Sequence, residues 1–171
     1  MKVPKFPSKG NHPAYFDTYL KLVESKEFLS LMNEQVKEIE ALFEGKGEGW
    51  AEKAYAPGKW TPKQVLGHIS DTERVMAYRA LCIARGDQSK LPGMDQDLYV
   101  DQGGFNQLSI KDLLSDFKIH RIATLSLIRL IPEASFEFQG NANESDIKVN
   151  SLFWIIPAHF AHHFMILKER Y

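Results

Sequence analysis

Residues 58–87 read GKWTPKQVLGHISDTERVMAYRALCIARGD. The opening is a helix start written in side chains. Thr61 can accept a hydrogen bond from the backbone at Gln64, and Gln64 can reach back to Thr61. Pro62 fits the first turn, where its missing N–H costs nothing. Val65, Ile69, Thr72 and Met76 then recur at three and four, the apolar stripe of a helix running to about Arg85. Gly86 is placed to stop it. His68 lies inside this stripe, between Val65 and Thr72, so an imidazole is expected to face a core.

Upstream, Phe28, Leu31, Met32, Gln35, Ile39, Leu42 and Phe43 repeat at three and four. They predict an amphipathic helix that follows a break near Ser25 and ends at Gly45, Gly47 and Gly49. Pro4, Pro7 and Pro13 make residues 1–12 an extended arm. Downstream, residues 86–108 form a connection longer than the ~12–15 residues usual in a compact domain, and such segments are often functional. A link of this length lets the helices on either side run parallel. Asp95-Gln96-Asp97 does not open a calcium loop, because Val100 stands at the glycine position and Asn106 at the glutamate position.

Ser109 caps a third helix through about Leu130, stopped by Pro132, with Leu113, Phe117, His120, Thr124, Leu127 and Ile131 as its inward stripe. Residues 132–149 read as a loop with a short extended piece. A fourth helix starts near Asn150 and runs almost to Tyr171, with Pro157 implying a gentle kink or a later start. Four helices of bundle length without a convincing sheet predict an all-α four-helix bundle with a long crossover between helices two and three. It forms one domain over residues 1–171.

Composition excludes several function classes. Hydrophobic residues at 44% and charged residues at 25% are those of an ordinary globular domain. A formal net charge of −1 gives no electrostatic pull toward nucleic acid or anionic lipid. No run approaches ~18 apolar residues, so no membrane span is expected. The N-terminus lacks the apolar core of a signal peptide, and Cys82 has no partner for a disulfide within the chain, so a reducing cytoplasm is the expected location. Without a secretory signal the Asn143-Glu144-Ser145 sequon carries no weight.

Residues 157–171, PAHFAHHFMILKERY, hold three of the six histidines. His159 and His163 are four apart and lie about 40° from each other on a helix. They share an inward face with Leu152, Ile155 and Ile166, while His162 sits nearer its edge. One core imidazole is commonly satisfied by a hydrogen bond. Two on one face, opposite the inward His68, are harder to explain as packing, though spacing alone also allows a solvated or singly hydrogen-bonded pair near the bundle end. As ligands, neutral imidazoles bind zinc, nickel, copper or iron. Three protein ligands and an open position for water form the catalytic pattern, and such a metal lowers the pKa of its water toward ~7 or deprotonates a bound thiol.

The neighbouring residues carry competing readings. Asp71, one turn after His68, suits orienting an imidazole N–H as well as an ion pair with Arg74. Glu73 and Arg79 are candidate partners across the bundle. Trp60 is expected at the helix entrance, Cys82 in the core, and His120 at a stripe edge bonded to a carbonyl. His12 receives no role.

The Trp-Thr-Pro helix opening, the His-x-x-Asp-Thr-Glu segment and the C-terminal His-x-x-x-His together resemble the DinB-like superfamily, the DinB and YfiT-type proteins, from about Tyr15 to Tyr171. The resemblance implies a four-helix bundle with a long crossover and a divalent metal, zinc or nickel, on His68, His159 and His163. Members with an assigned activity transfer a low-molecular-weight thiol to an electrophile or isomerise a thiol adduct; others are described only as metal-dependent hydrolases.

The expected function is therefore a metal-dependent enzyme that binds a thiol co-substrate and transfers it to a small-molecule electrophile. Arg79, Arg85 and Lys90 are candidates to hold the thiol's carboxylates, against the plainer reading that they are ordinary helix C-terminal charge. The first alternative is a hydrolase with Asp71 or Glu73 as base. The second is a non-catalytic bundle that binds a ligand or partner. A homodimer through an exposed helix face is compatible with each.

Overall fold

The computed structural model describes residues 2–171. Seven helices lie in chain order: α1 (Asp17–Leu20), α2 (Phe28–Lys46), α3 (Glu48–Ala51), α4 (Pro62–Ala84), α5 (Gln96–Gln102), α6 (Ile110–Leu130) and α7 (Val149–Arg170). Three short strands accompany them: β1 (Lys90–Leu91), β2 (Gln139–Ala142) and β3 (Ser145–Lys148). The long helices α2, α4, α6 and α7 form the bundle. The expected capping box is present at Thr61 and Gln64, with Pro62 in the first turn. Ser109 caps α6 through the Asp112 N–H, and Glu27 caps α2 through the Leu29 and Ser30 N–H groups.

Side-chain partners fix the helix directions. Lys118 meets Glu40 and Arg121 meets Gln35, so α2 and α6 are antiparallel. Thr61 meets Asn106 while Arg74 meets Asp116, so α4 and α6 run parallel. Gln35 meets the Pro157 carbonyl and Trp50 that of Tyr171, so α2 and α7 run parallel. This is the parallel pairing that the crossover between α4 and α6 permits. The crossover is ordered: it carries β1, α5 and a 3-10 turn at Phe105–Gln107. Phe105 lies flat against the backbone at Gly67, where any β-carbon would strike its ring.

Three expectations need correction. Residues 139–148 form a hairpin rather than a loop, and β1 adds parallel to β2, with Lys90 opposite Asn141 and Leu91 opposite Ala142. Strands this short leave almost no period-two signal. The inward face of α6 carries Leu113, Phe117, Arg121, Thr124 and Ile128, so Arg121 is buried and His120 only half-buried. Glu73 pairs with that arginine and not with Arg79.

The N-terminal arm packs onto α7. Trp154 Nε1 donates to the Pro4 carbonyl at 2.9 Å, and the Lys148 N–H and Ser151 hydroxyl both donate to the Asn11 carbonyl. With arm and bundle on opposite sides, α7 is buried all round from Val149 to Phe160. That explains why its first half is apolar without periodicity. Cys82 packs against the core edge as expected. Among the described residues no helix is long and apolar enough to cross a membrane.

Candidate metal centre

α4 contributes His68 and α7 contributes His159 and His163, from antiparallel helices that face each other. Spacing of four on α7 places its two rings on one side, with centroids 4.5 Å apart. His68 lies 4.8 Å from each of them, centroid to centroid. His68 Nε2 and His159 Nε2 are 3.0 Å apart, and one nitrogen from each of the three rings falls within 4.8 Å of the others. Two nitrogens on one tetrahedral ion at 2.0–2.1 Å would be separated by about 3.3 Å. The triad therefore needs only small ring movements to close on an ion.

Electrostatics favour the same use. Burial pushes the His68 imidazole down to about 4. Burial, with His68 and His162 adding, brings His163 down to about 3. His159 is driven well below its usual value by burial first and then by its three histidine neighbours. All three are neutral at pH 7 and present lone pairs. Nothing acidic balances them, so protonating any one would put an unpaired charge in the core. Three neutral imidazoles with no thiolate or carboxylate fit zinc or nickel and leave a fourth position open.

The triad forms one wall of a cavity of about 320 Å³. Tyr15, Phe16, Tyr19, Trp60, Thr72, Val75, Met76, Arg79, Met94, Gln96, Asn143 and His162 complete the lining. Trp60 lies 4.8 Å from the His68 ring, so the expected helix-entrance residue also walls the site. The Thr72 hydroxyl is buried and has no partner within the chain, one helical turn beyond His68. Asn143 comes from the β2–β3 turn and Gln96 from the start of α5. The hairpin and the ordered crossover thus carry the two amide side chains to the cavity. The length of residues 86–108 marked that segment as a candidate functional loop, but neither amide could be singled out, because each position depends on tertiary packing.

Comparison with protein-family models matches residues 32–167 to the DinB superfamily. The chain belongs to the DinB superfamily. Among solved structures, this DinB-superfamily chain is similar to YfiT from Bacillus subtilis, described as "a probable metal-dependent hydrolase with an unusual four-helix bundle topology". The two share 14% identity with a TM-score of 0.71, over 95% of this chain and 89% of that one. At that identity the likeness speaks for the fold alone. Comparison with curated protein sequences finds no match.

Other anticipated site residues lie elsewhere. Asp71 does not orient His68: it accepts from Arg74 Nη1 at 3.1 Å, and its carboxyl is raised, by burial first, against the lowering by Arg74. Glu73 is locked on Arg121 in the core. Neither carboxylate lines the cavity. Arg85 and Lys90 are exposed and do not line it, whereas Arg79 does. His120 Nε2 is buried without a partner and lies among Glu73, Arg74 and Asp116 on the other side of α4. His162, expected as an edge neighbour, lines the cavity with its ring 5.0 Å from His163 and 4.6 Å from Tyr19.

Proposed function

We propose that the chain is a metal-dependent hydrolase acting on a small molecule bound in the histidine-walled cavity. The observation that carries this is the convergence of three buried, neutral imidazoles on one wall of a cavity with a free side. The name given to YfiT supports the reaction class. A divalent ion on His68, His159 and His163 supplies Lewis acidity and a lowered pKa for whatever water or thiol fills its open position.

The chain's own residues do the rest. Phe16, Met76 and Trp60 exclude solvent water from the cavity walls. Tyr19 packs against His162 and fixes its ring. His162 is neutral near pH 7, since burial lowers its pKa, and its free ring nitrogen can take the proton that hydrolysis releases. It fills the base role that the sequence offered to Asp71 or Glu73.

Thiol transfer is the second reading, favoured by one specific observation. Among the described residues no carboxylate lines the cavity, and a thiol held at His68, His159 and His163 by a divalent ion would need no carboxylate base, since the ion would lower its pKa.

The deciding experiment loads tag-free protein with zinc or nickel and counts metal per chain. A His159→Ala, His163→Ala variant is measured beside it. Ester and amide substrates are then turned over with and without added thiol. About one ion per chain in the parent, none in the variant, and thiol-independent turnover support hydrolysis. Turnover only with thiol replaces hydrolysis by transfer. A parent that binds no metal sinks both.

A further inference from the structure

Arg79 lines the same cavity as the histidines, eleven residues along α4 from His68. His68, Thr72, Met76 and Arg79 repeat at four, four and three along α4, and all four line the cavity. The arginine is only 7% exposed, yet no carboxylate pairs with it among the described residues. Its Nη2 donates to the Pro92 carbonyl at 2.7 Å, and its Nη1 lies 3.8 Å from Met76 Sδ. A carbonyl and a thioether do not neutralise a guanidinium.

The other buried cations of the chain are treated differently. Arg121 has Glu73, and Lys63 has both Glu48 and Glu52. Burial without a counter-charge lowers the pKa of Arg79, and the groups that sense its charge are the phenols of Tyr15 and Tyr99, which are neutral at pH 7. Leaving a buried cation unpaired is costly unless something else supplies the anion.

We propose that Arg79 is the anion-binding end of this cavity and receives the carboxylate of a substrate whose reactive end lies at His68, His159 and His163. The inference rests on the reading of the triad as a metal centre. Among the described residues Arg79 is the one charged side chain lining the cavity, so a singly charged head matches it better than a doubly charged phosphate. Its planar fork offers two parallel N–H groups to a carboxylate. Eleven residues of helix separate the α-carbons of His68 and Arg79 by about 16 Å. Both side chains lean toward the N-terminus, but the longer arginine folds back to Met76, its Nη1 3.8 Å from Sδ. The span left for the substrate is on the order of 10 Å. The substrate class is thus a slender ω-functionalised carboxylate, with apolar atoms against Met76 between its two ends.

Two probes of equal length test this: 6-mercaptohexanoate and 6-mercaptohexan-1-ol. Each is titrated calorimetrically into cobalt-loaded and metal-free protein, for the wild type, Arg79→Gln and Arg79→Lys. The wild type should bind the carboxylate about tenfold more tightly than the alcohol, which corresponds to about 1.4 kcal/mol. Arg79→Gln should bind both alike with alcohol affinity unchanged, and Arg79→Lys should keep part of the preference. Arg79→Gln should also melt no lower than the wild type, since it removes an unpaired buried charge.

An absent preference in the wild type overturns the proposal. So does a preference that survives in Arg79→Gln, or no detectable binding of the carboxylate at millimolar concentration. Cobalt that fails to load, or adds nothing to thiol affinity, overturns the metal reading. The Arg79 inference then stands or falls on the metal-free titrations.

Discussion

Glu73 on α4 and Arg121 on α6 meet fork to fork in the core, 2% and 1% exposed. Arg121 Nε lies 3.0 and 3.1 Å from the two carboxylate oxygens, and Nη2 donates to Oε2 at 2.9 Å. Nη1 serves the Met32 carbonyl and Gln35 Oε1, and Gln35 Nε2 continues to the Pro157 carbonyl. One polar network therefore ties α2, α4, α6 and α7 together.

Removing one member of this pair leaves an uncompensated charge. Glu73→Ala and Arg121→Ala should each cost about 3–5 kcal/mol, whereas replacing both by Leu or Met should recover most of the loss. Denaturant unfolding of the two singles and the double measures this. Zinc stoichiometry in whatever Glu73→Gln protein remains folded should match the wild type. A folded Glu73→Gln protein that no longer binds metal would move Glu73 back into the site.

The β2–β3 turn holds two non-glycine residues in the left-handed region, Asn143 at φ 52° and Glu144 at φ 59°. Asparagine tolerates this conformation at the first central position of a tight hairpin turn, whereas glycine is the favoured residue at the second. Glu144→Gly should stabilise the chain by roughly 0.5–1 kcal/mol, read as a shift of the denaturation midpoint. A destabilised variant would mean that the Glu144 side chain contributes more than its backbone costs.

Much of this fold is local and was therefore legible. Caps at Thr61 and Ser109, and stripes on α2 and α4, follow from spacing within one helix. The triad was legible for the same reason: four-residue spacing on α7 and a single histidine in the α4 stripe fix directions without knowledge of the partner. The failures share a non-local cause. Arg121 is buried because Glu73 on another helix receives it, and arginine is ordinarily a surface residue, so the α6 stripe was read through His120 instead of Arg121, although Leu113, Phe117, Thr124 and Ile131 are buried as expected. The hairpin and the Asn143 contact to the cavity depend on β1, some fifty residues away in the chain. Asp71 lies one turn from His68, but it pairs with Arg74, which also holds Asp116, as helix phase alone could not say.

Gly67 sits beside a metal-ligand candidate and under the Phe105 ring. A methyl group there has to displace the ring and the crossover segment behind it. Gly67→Ala should destabilise by about 1–3 kcal/mol through overpacking. Adding Phe105→Ala should relieve part of that, so the double variant should be less destabilised than the two singles predict together. A double-mutant cycle by thermal or denaturant unfolding decides it. Strict additivity would mean that the two residues do not press on each other.

The histidine pKa values set a pH window. In the unfolded chain the imidazoles titrate near 6.5, while in the fold His68 is held at about 4 and His163 at about 3, and His159 is also driven far down. Between these limits the unfolded chain binds protons that the folded one refuses, so stability rises with pH. The contribution is complete above pH 6.5 and is lost as pH falls from there toward 3. Within that range each imidazole adds a slope of up to about 1.4 kcal/mol per pH unit. Denaturation of metal-free protein between pH 7 and 5, above most carboxylate titration, should show the decline, and His68→Phe should flatten it. The same neutrality bears on metal uptake. Because the ligands hold no protons at pH 6.5, zinc binding should release none from them, and calorimetry at that pH in buffers of different ionisation enthalpy should give nearly equal heats. Release of about one and a half protons at pH 6.5, the amount from three ordinary imidazoles each half-protonated there, would mean that the triad is not held neutral before the ion arrives, and it would have to be solvated in a way that its packing against Trp60 and Tyr19 denies.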